Sequence, residues 1–274
     1  MEDKKSQKKF SLEVIEYFNM ARTNPKKFAE LIKEIKTYFK GKILRLPGSS
    51  VGIMTKEGAD AFEEAANFLE KEAKPVCELK YNTGLAHIAQ DVVEEAQKAD
   101  DLNTLDELDM DKIFDKYGRF TGSFSRAMDF GSKDPRMVVV NLIVSDGDKN
   151  RGQREGIFNG ELKEIGVWTG KEKTYGQCTS IASATKFIVK DGVKDDLDVQ
   201  KEELQTITQK LKSTKPPSKE TEEEDMELPP GVKSIDKSEK IVVENGKKKR
   251  ITKIVKHMED GSTETETTKE TVDE

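Results

Sequence analysis

The sequence holds two histidines, two cysteines and one tryptophan in 274 residues, and each scarcity closes off a class of chemistry. Two imidazoles, His87 and His257, are too few for a multi-histidine metal centre and leave most hydroxyls without the usual catalytic base. Cys77 and Cys178 lie far apart and match no CxxC metal pattern. No apolar run approaches the length of a membrane span. The opening Met1-Glu2-Asp3-Lys4-Lys5-Ser6-Gln7-Lys8-Lys9 has no apolar stretch behind it, unlike a secretory signal. Basic excess is missing too: the net charge is −6, which gives no electrostatic footprint for nucleic acid.

What is abundant is charge. Asp, Glu, Lys and Arg make up 36% of the chain against 34% for AVILMFWYC, so the whole chain cannot be packed core. Residues 1–190 carry 31 basic and 31 acidic side chains, while residues 191–274 carry 16 and 22 and account for the entire net charge. A neutral domain over 11–190 followed by polar appendages is expected. Residues 195–212 read as an amphipathic helix with Leu197, Leu204, Ile207 and Leu211 on one seam. Residues 213–230, with Pro216-Pro217, Glu222-Glu223-Glu224-Asp225 and Pro229-Pro230, read as a linker that cannot bury a core. Residues 231–274 read as a polar β-hairpin or meander. Strands over 240–244 and 249–255 meet across Asn245-Gly246, and Asp260-Gly261 makes a second turn. Such a ribbon has little apolar surface, and its burial is expected to come from a partner.

Within the domain, Leu12, Ile15 and Phe18 begin an apolar stripe. Pro25, with Thr23 or Asn24 as cap, restarts it through Phe28, Leu31, Ile32 and Ile35. Phe62, Ala65, Ala66 and Leu69 share a helical face, as do Leu85, Ile88, Ala89 and Val92. His87 falls beside the latter stripe and reads as a partly buried or surface residue. The acidic stretch 100–118 meets no EF-hand spacing and reads as a connector with a short helix around 108–114. Residues 145–184 organise the rest. Asp146-Gly147 is a turn, Arg151-Gly152-Gln153-Arg154 a compact polar loop with Gly152 as a candidate positive-φ position, and Asn159-Gly160 another turn. Residues 165–169 and 175–182 read as paired antiparallel strands.

Several of these pieces resemble the CAP domain, the fold of cysteine-rich secretory, antigen 5 and pathogenesis-related proteins. Asn19, Arg22, Asn24-Pro25 and Phe28 match its opening signature. Gly152-Gln153-Arg154, Ile165-Gly166-Val167 and the strand from Cys178 to Phe187 match its end. The resemblance covers roughly residues 12–190 and implies an α/β/α sandwich with an antiparallel sheet. It also implies that residues 137–144, a β-branched run, form a helix, which Asp134 as N-cap and Pro135 at the first position support. Family members hold a divalent cation between two histidines and two acids. At matching positions this chain has Gln153 for a histidine and Arg126 for a glutamate, with Ala127 for an asparagine. The ancestral site is therefore expected to be dismantled, with no metal, no cofactor and no catalytic residue. Because CAP domains are mostly secreted and disulfide-bonded, the chain is expected to be an intracellular relative with reduced thiols.

Three functions follow. A non-catalytic structural or interaction protein accounts for the missing ligands, the absent signal and the polar ribbon together. A carrier of a lipid or sterol would need an apolar groove, for which Leu44, Leu46, Val51 and Ile53 are candidates, equally well explained as core. A metal-dependent hydrolase is disfavoured by the histidine count; Ser123, Ser125 and Ser180 have no evident base, and no Gly-x-Ser-x-Gly elbow occurs. The layout resembles intracellular CAP proteins of ciliated protists, which implies protein partners in a large assembly, such as tubulin or axonemal proteins, in a cilium. The basic run Lys247, Lys248, Lys249 and Arg250 suits an acidic polymer surface.

Overall fold

The computed structural model describes residues 2–49, 51–193, 232–244, 247–258 and 262–271. Two helices open it, α1 (Glu2–Thr23) and α2 (Pro25–Lys36). Asn24 separates them: its side chain accepts the Lys27 N–H at 3.2 Å, and Pro25 fills the first helical position, where a missing N–H costs nothing. A ribbon of two-residue strands follows, β1 (Phe39–Lys40), β2 (Ile43–Leu44) and β3 (Ile53–Met54). Then come α3 (Ala59–Lys71), β4 (Lys80–Tyr81) and α4 (Thr83–Lys98), the last capped by Asn82 on the Leu85 N–H at 3.2 Å. The acidic connector holds a 3-10 turn at Leu102–Glu107 and α5 (Met110–Tyr117). The remaining elements of this unit are β5 (Gly118–Phe130), α6 (Pro135–Val144), α7 (Gly152–Ile157), β6 (Glu164–Gly170) and β7 (Cys178–Val189).

The main sheet has the order β4-β6-β7-β5. β6, β7 and β5 are antiparallel, but β4 joins β6 in parallel, so the sheet is mixed at one edge. The long excursion from β4 through α4 to α7 supplies the crossover that a parallel pair requires. The β6–β7 pair is present with a later start than residues 175–182 would give: Gly170 faces Cys178 and Ile165 faces Ser183. Residues 171–177 are loop instead. The buried Glu172 carboxylate accepts the N–H groups of Thr174, at 2.8 Å, and Tyr175, and Gly176 turns at φ +82.

Strand alternation sorts the sheet into two buried faces. Gly166, Ala182 and Trp168 turn toward α4. A Cβ on Gly166 would sit 2.0 Å from the Ala86 backbone nitrogen, so only glycine lets the helix lie this close. Ile165, Val167 and Ile181 turn to the other face, where α1 and α6 pack. Helices thus cover both faces, an α/β/α sandwich. The β-branched run at 137–144 is helical despite its strand propensity, because Asp134 caps it, accepting the Arg136 N–H at 2.9 Å, and both flanks of the helix are buried.

One arginine joins the two ends of this unit. Arg22, at 0% exposure, donates to the carbonyls of Cys77 (3.0 Å), Asn159 (3.1 Å), Leu162 (3.3 Å) and Ile157. Its neighbour Asn19 pairs with the Leu79 backbone in both directions, at 3.0 and 2.8 Å. Burying a guanidinium is tolerable only when its donors are met.

The described parts of Arg45–Gly52 and Pro217–Glu274 form a separate unit. In it β8 (Val232–Glu244), β9 (Lys247–Met258) and β10 (Thr263–Thr271) make an antiparallel sheet in the order β10-β9-β8. β8 begins at Val232, earlier than residue 240, and Glu244 faces Lys247. The expected helix over 195–212, the linker over 213–230 and the turns at Asn245-Gly246 and Asp260-Gly261 lie outside the described residues.

Arg22→Met keeps the volume and removes the donors from four carbonyls, of which those of Ile157 and Leu162 are met in the interior. A loss of about 4 kcal/mol in urea denaturation is expected; a loss under about 1 kcal/mol would show that α1 is held by packing alone.

Candidate functional site

The segment between α6 and β6 is where the opening and closing motifs of the sequence converge. It turns through three left-handed residues, Ser145 (φ 48), Gly147 (φ 84) and Arg151 (φ 53). The positive φ falls on Arg151 rather than on Gly152, which starts α7; the polar loop expected at 151–154 is largely the first turn of that helix. Bonds to the residues just before α3 explain why a non-glycine accepts this conformation. Asp146 accepts the N–H groups of Lys56 and Glu57 at 2.6 and 2.8 Å. Glu57 accepts the Gly147 N–H at 2.6 Å and both arms of Arg151 at 2.7 and 2.8 Å. Arg151 also donates to the Ser145 carbonyl at 2.8 Å.

Arg154 is the buried member of the group, at 4% exposure. It forks onto Glu64 with both distances 2.7 Å, donates to the Ile143 carbonyl at 2.6 Å, and lies 4.7 Å over the Phe68 ring. Bidentate charge-assisted pairs of this geometry are the stronger kind. The Arg151 guanidinium and the Gly147 N–H hold the Glu57 carboxyl down at about 2, and Arg154 lowers that of Glu64. Both acids stay ionised and bound to arginine at any neutral pH, which leaves neither as a proton carrier.

Arg126 and Gln153, the two positions where the resemblance places a lost metal cleft, do not meet. Arg126 faces Ala182 across the β5–β7 pair, which puts it on the α4 face. There it donates to the Leu105 carbonyl at 3.0 Å and stands 3.6 Å from Asp106. α7 lies on the opposite face, where Gly156 abuts Ser125, and Gln153 is exposed on that helix. A two-residue strand period separates the neighbours Ser125 and Arg126 by the thickness of the sheet. Arg126 and Gln153 therefore lie on opposite faces of the sheet. Among the described residues no group of three or more His, Cys, Asp and Glu side chains is placed to hold a metal ion.

The other candidates are dispersed as well. Half-buried His87 stacks on Tyr117 at 5.2 Å, and His257 lies in β9. Ser123 donates to the Glu161 carboxylate, and Ser180 is buried in β7 with its hydroxyl unpaired. Leu44, in β2, is core, whereas Ile53, in β3, is 49% exposed and Val51 70%. Lys247, Lys248, Lys249 and Arg250 stand together at the start of β9.

Sequence reasoning passed over Asp129. Its side chain is buried on the α6 face of β5; one oxygen accepts from Asn141 at 2.9 Å and the other has no partner. Asn141 is shared with the Ser132 hydroxyl at 3.0 Å. Burial pushes the Asp129 carboxyl up to about 6. Cys178 beside it is pushed up to about 12 by burial and by the charges of Glu172 and Asp129. The only sequence signal was an acid inside the otherwise apolar run Ala127-Met128-Asp129-Phe130.

Comparison with known proteins gives little. No protein-family model matches the chain, and no curated protein matches it. Among solved structures it is similar to the venom allergen-like protein 4 of Schistosoma mansoni, at 14% identity and a TM-score of 0.29, over 58% of this chain and 84% of that one. At that score the α/β/α description rests on the sheet and helices themselves.

Because the folded Asp129 carboxyl is raised above its unfolded value, it favours folding most at low pH, and that contribution is lost as pH rises through about 6. Asp129→Asn should therefore gain about 2–3 kcal/mol relative to the parent between pH 4 and pH 7.5. Parallel stability curves for the two proteins over that range would contradict a buried, partly unpaired acid.

Proposed function

We propose that the chain is a non-catalytic interaction module, a degenerate CAP-like sandwich that serves as a structural component of a large assembly. What supports this most is the use made of its polar clusters. Arg126, Arg151 and Arg154 are bound to backbone carbonyls or to Glu57 and Glu64. Such pairs hold elements together and offer no free acid, base or nucleophile at a shared point.

The surfaces left open suit docking. Ile43 and Met54 face each other across the β2–β3 pair and are 38% and 71% exposed. The C-terminal sheet has β8 and β10 as long edge strands, a form of surface that pairs readily with another chain. Four consecutive basic residues, Lys247 to Arg250, begin its middle strand. Their partner is an acidic protein polymer of the kind presented by tubulin tails, and the place is a ciliary axoneme. The ribbon completes its ordering on that partner, because so polar a segment offsets little of its own ordering entropy.

Co-sedimentation of the full chain with microtubules tests this. Pelleting is expected at low salt, falling as ionic strength rises, and about tenfold weaker when Lys247, Lys248, Lys249 and Arg250 are changed to alanine. Pelleting unchanged by those substitutions would remove the basic run from the interface, and no pelleting at low salt would remove tubulin as the partner.

A further inference from the structure

The buried Arg22 has an unusual surrounding. A fully buried guanidinium is normally matched by a carboxylate, yet among the described residues its acceptors are four backbone carbonyls and one sulfur. That sulfur is Cys77 Sγ, 3.9 Å from the guanidinium. The carbonyls satisfy the donors but carry no net charge. Among the described residues, Cys77 is the one group bonded to Arg22 that can become an anion. A second cation approaches the same atom from outside: Lys163 Nζ lies 3.0 Å from Sγ and is held in place by the Gly160 carbonyl at 2.8 Å. Cys77 itself is exposed, so the sulfur is buried on its Arg22 side and open on the other.

We propose that Cys77 is a modification site: a thiolate held between Lys163 and Arg22 that exchanges with small anionic disulfides of the glutathione type, loosening the junction between α1 and residues 157–162 when it does so. The two cations favour the ionised sulfur: the hydrogen bond from Lys163 lowers its thiol below the usual range, partial burial opposes that, and the bond from Arg22 adds to the lowering. When protonated, the thiol donates to the Leu162 carbonyl at 3.6 Å. Cys178 provides the internal contrast, since it is buried in β7 with a thiol pushed up to about 12.

The step balances without a further oxidant. The Cys77 thiolate attacks one sulfur of the disulfide, and a new S–S bond forms as the old one breaks. The leaving thiolate departs with the electron pair and takes its proton from water. Cys77 is oxidised and one half of the small disulfide is reduced. The product sulfur is neutral, so Arg22 keeps its carbonyls but loses its only adjacent anion. Lys74 and Lys80, exposed and within three residues of Cys77, favour an anionic reagent, with Glu78 opposing them.

The test uses the full chain with glutathione disulfide, followed by mass spectrometry from pH 6 to 9. Cys77 should form the mixed disulfide at least a hundredfold faster than Cys178. Its rate profile should rise at lower pH than that of a free cysteine peptide. Lys163→Met should move that profile upward while circular dichroism stays unchanged; Lys163→Arg should preserve it. The modified protein should melt below the reduced one, and reduction should restore the parent value. A Cys77 profile that coincides with the peptide's would overturn the thiolate, and an unchanged melting temperature after full modification would overturn its coupling to Arg22.

Discussion

Arg22 is the constraint on which the first unit depends. Its side chain leaves the C-terminal end of α1 and reaches carbonyls that stand 55 to 140 residues further along the chain. Without it, the turn that follows α7 and the extended stretch before β4 would have several buried carbonyls and nothing to satisfy them. Asn19, one turn earlier on α1, fixes Leu79 in the same manner. Asn24 then starts α2. One short motif therefore joins the two ends of the sandwich and sets the direction of the next helix. The long-range contacts it makes are what bring β4 alongside β6.

A second set of arginines does comparable work at the other end of the α6–β6 connection. Arg151 fastens it to Glu57, just before α3, and Arg154 fastens it to Glu64 within α3. Arg126 fastens β5 to the 3-10 turn through Leu105. Each guanidinium is planar with several fixed donors, which suits bridging between elements better than an ammonium does. With these cations engaged in holding segments together, the docking surfaces proposed above are the β1–β3 ribbon and the C-terminal strands.

Much of the sandwich was legible because its signals are local. Asn24-Pro25 and Asp134-Pro135 each start a helix by bonds within three residues, and the β6 and β7 runs pair as antiparallel strands, though β7 starts at Cys178. Long-range effects were not legible. β5 carries glycine, serine, arginine and aspartate along its 13 residues, and nothing local marks it as a strand; pairing with β7 makes it one. The two-residue β4 is a strand only because β6 lies beside it. The left-handed Arg151 was missed for the same reason, since its conformation is fixed by Glu57, 94 positions away. At the candidate site the sequence located Gln153 and Arg126 but could not show that the sheet separates them. Asp129 and the Arg22–Cys77–Lys163 group were invisible, because burial and proximity are properties of the folded chain.

Hydrogen exchange at single amides tests most directly whether Arg22 and Asn19 hold the unit together. The Val76 N–H bonds to the Arg22 carbonyl at 2.8 Å, and the Leu79 N–H bonds to the Asn19 side chain at 2.8 Å. Both lie in a stretch with little regular structure of its own. The account predicts that these two amides exchange only with global unfolding, at the rate of the Val167 and Ile181 amides in the β6–β7 pair. Exchange of Val76 and Leu79 as fast as an unprotected loop amide, with the sheet still protected, would contradict it.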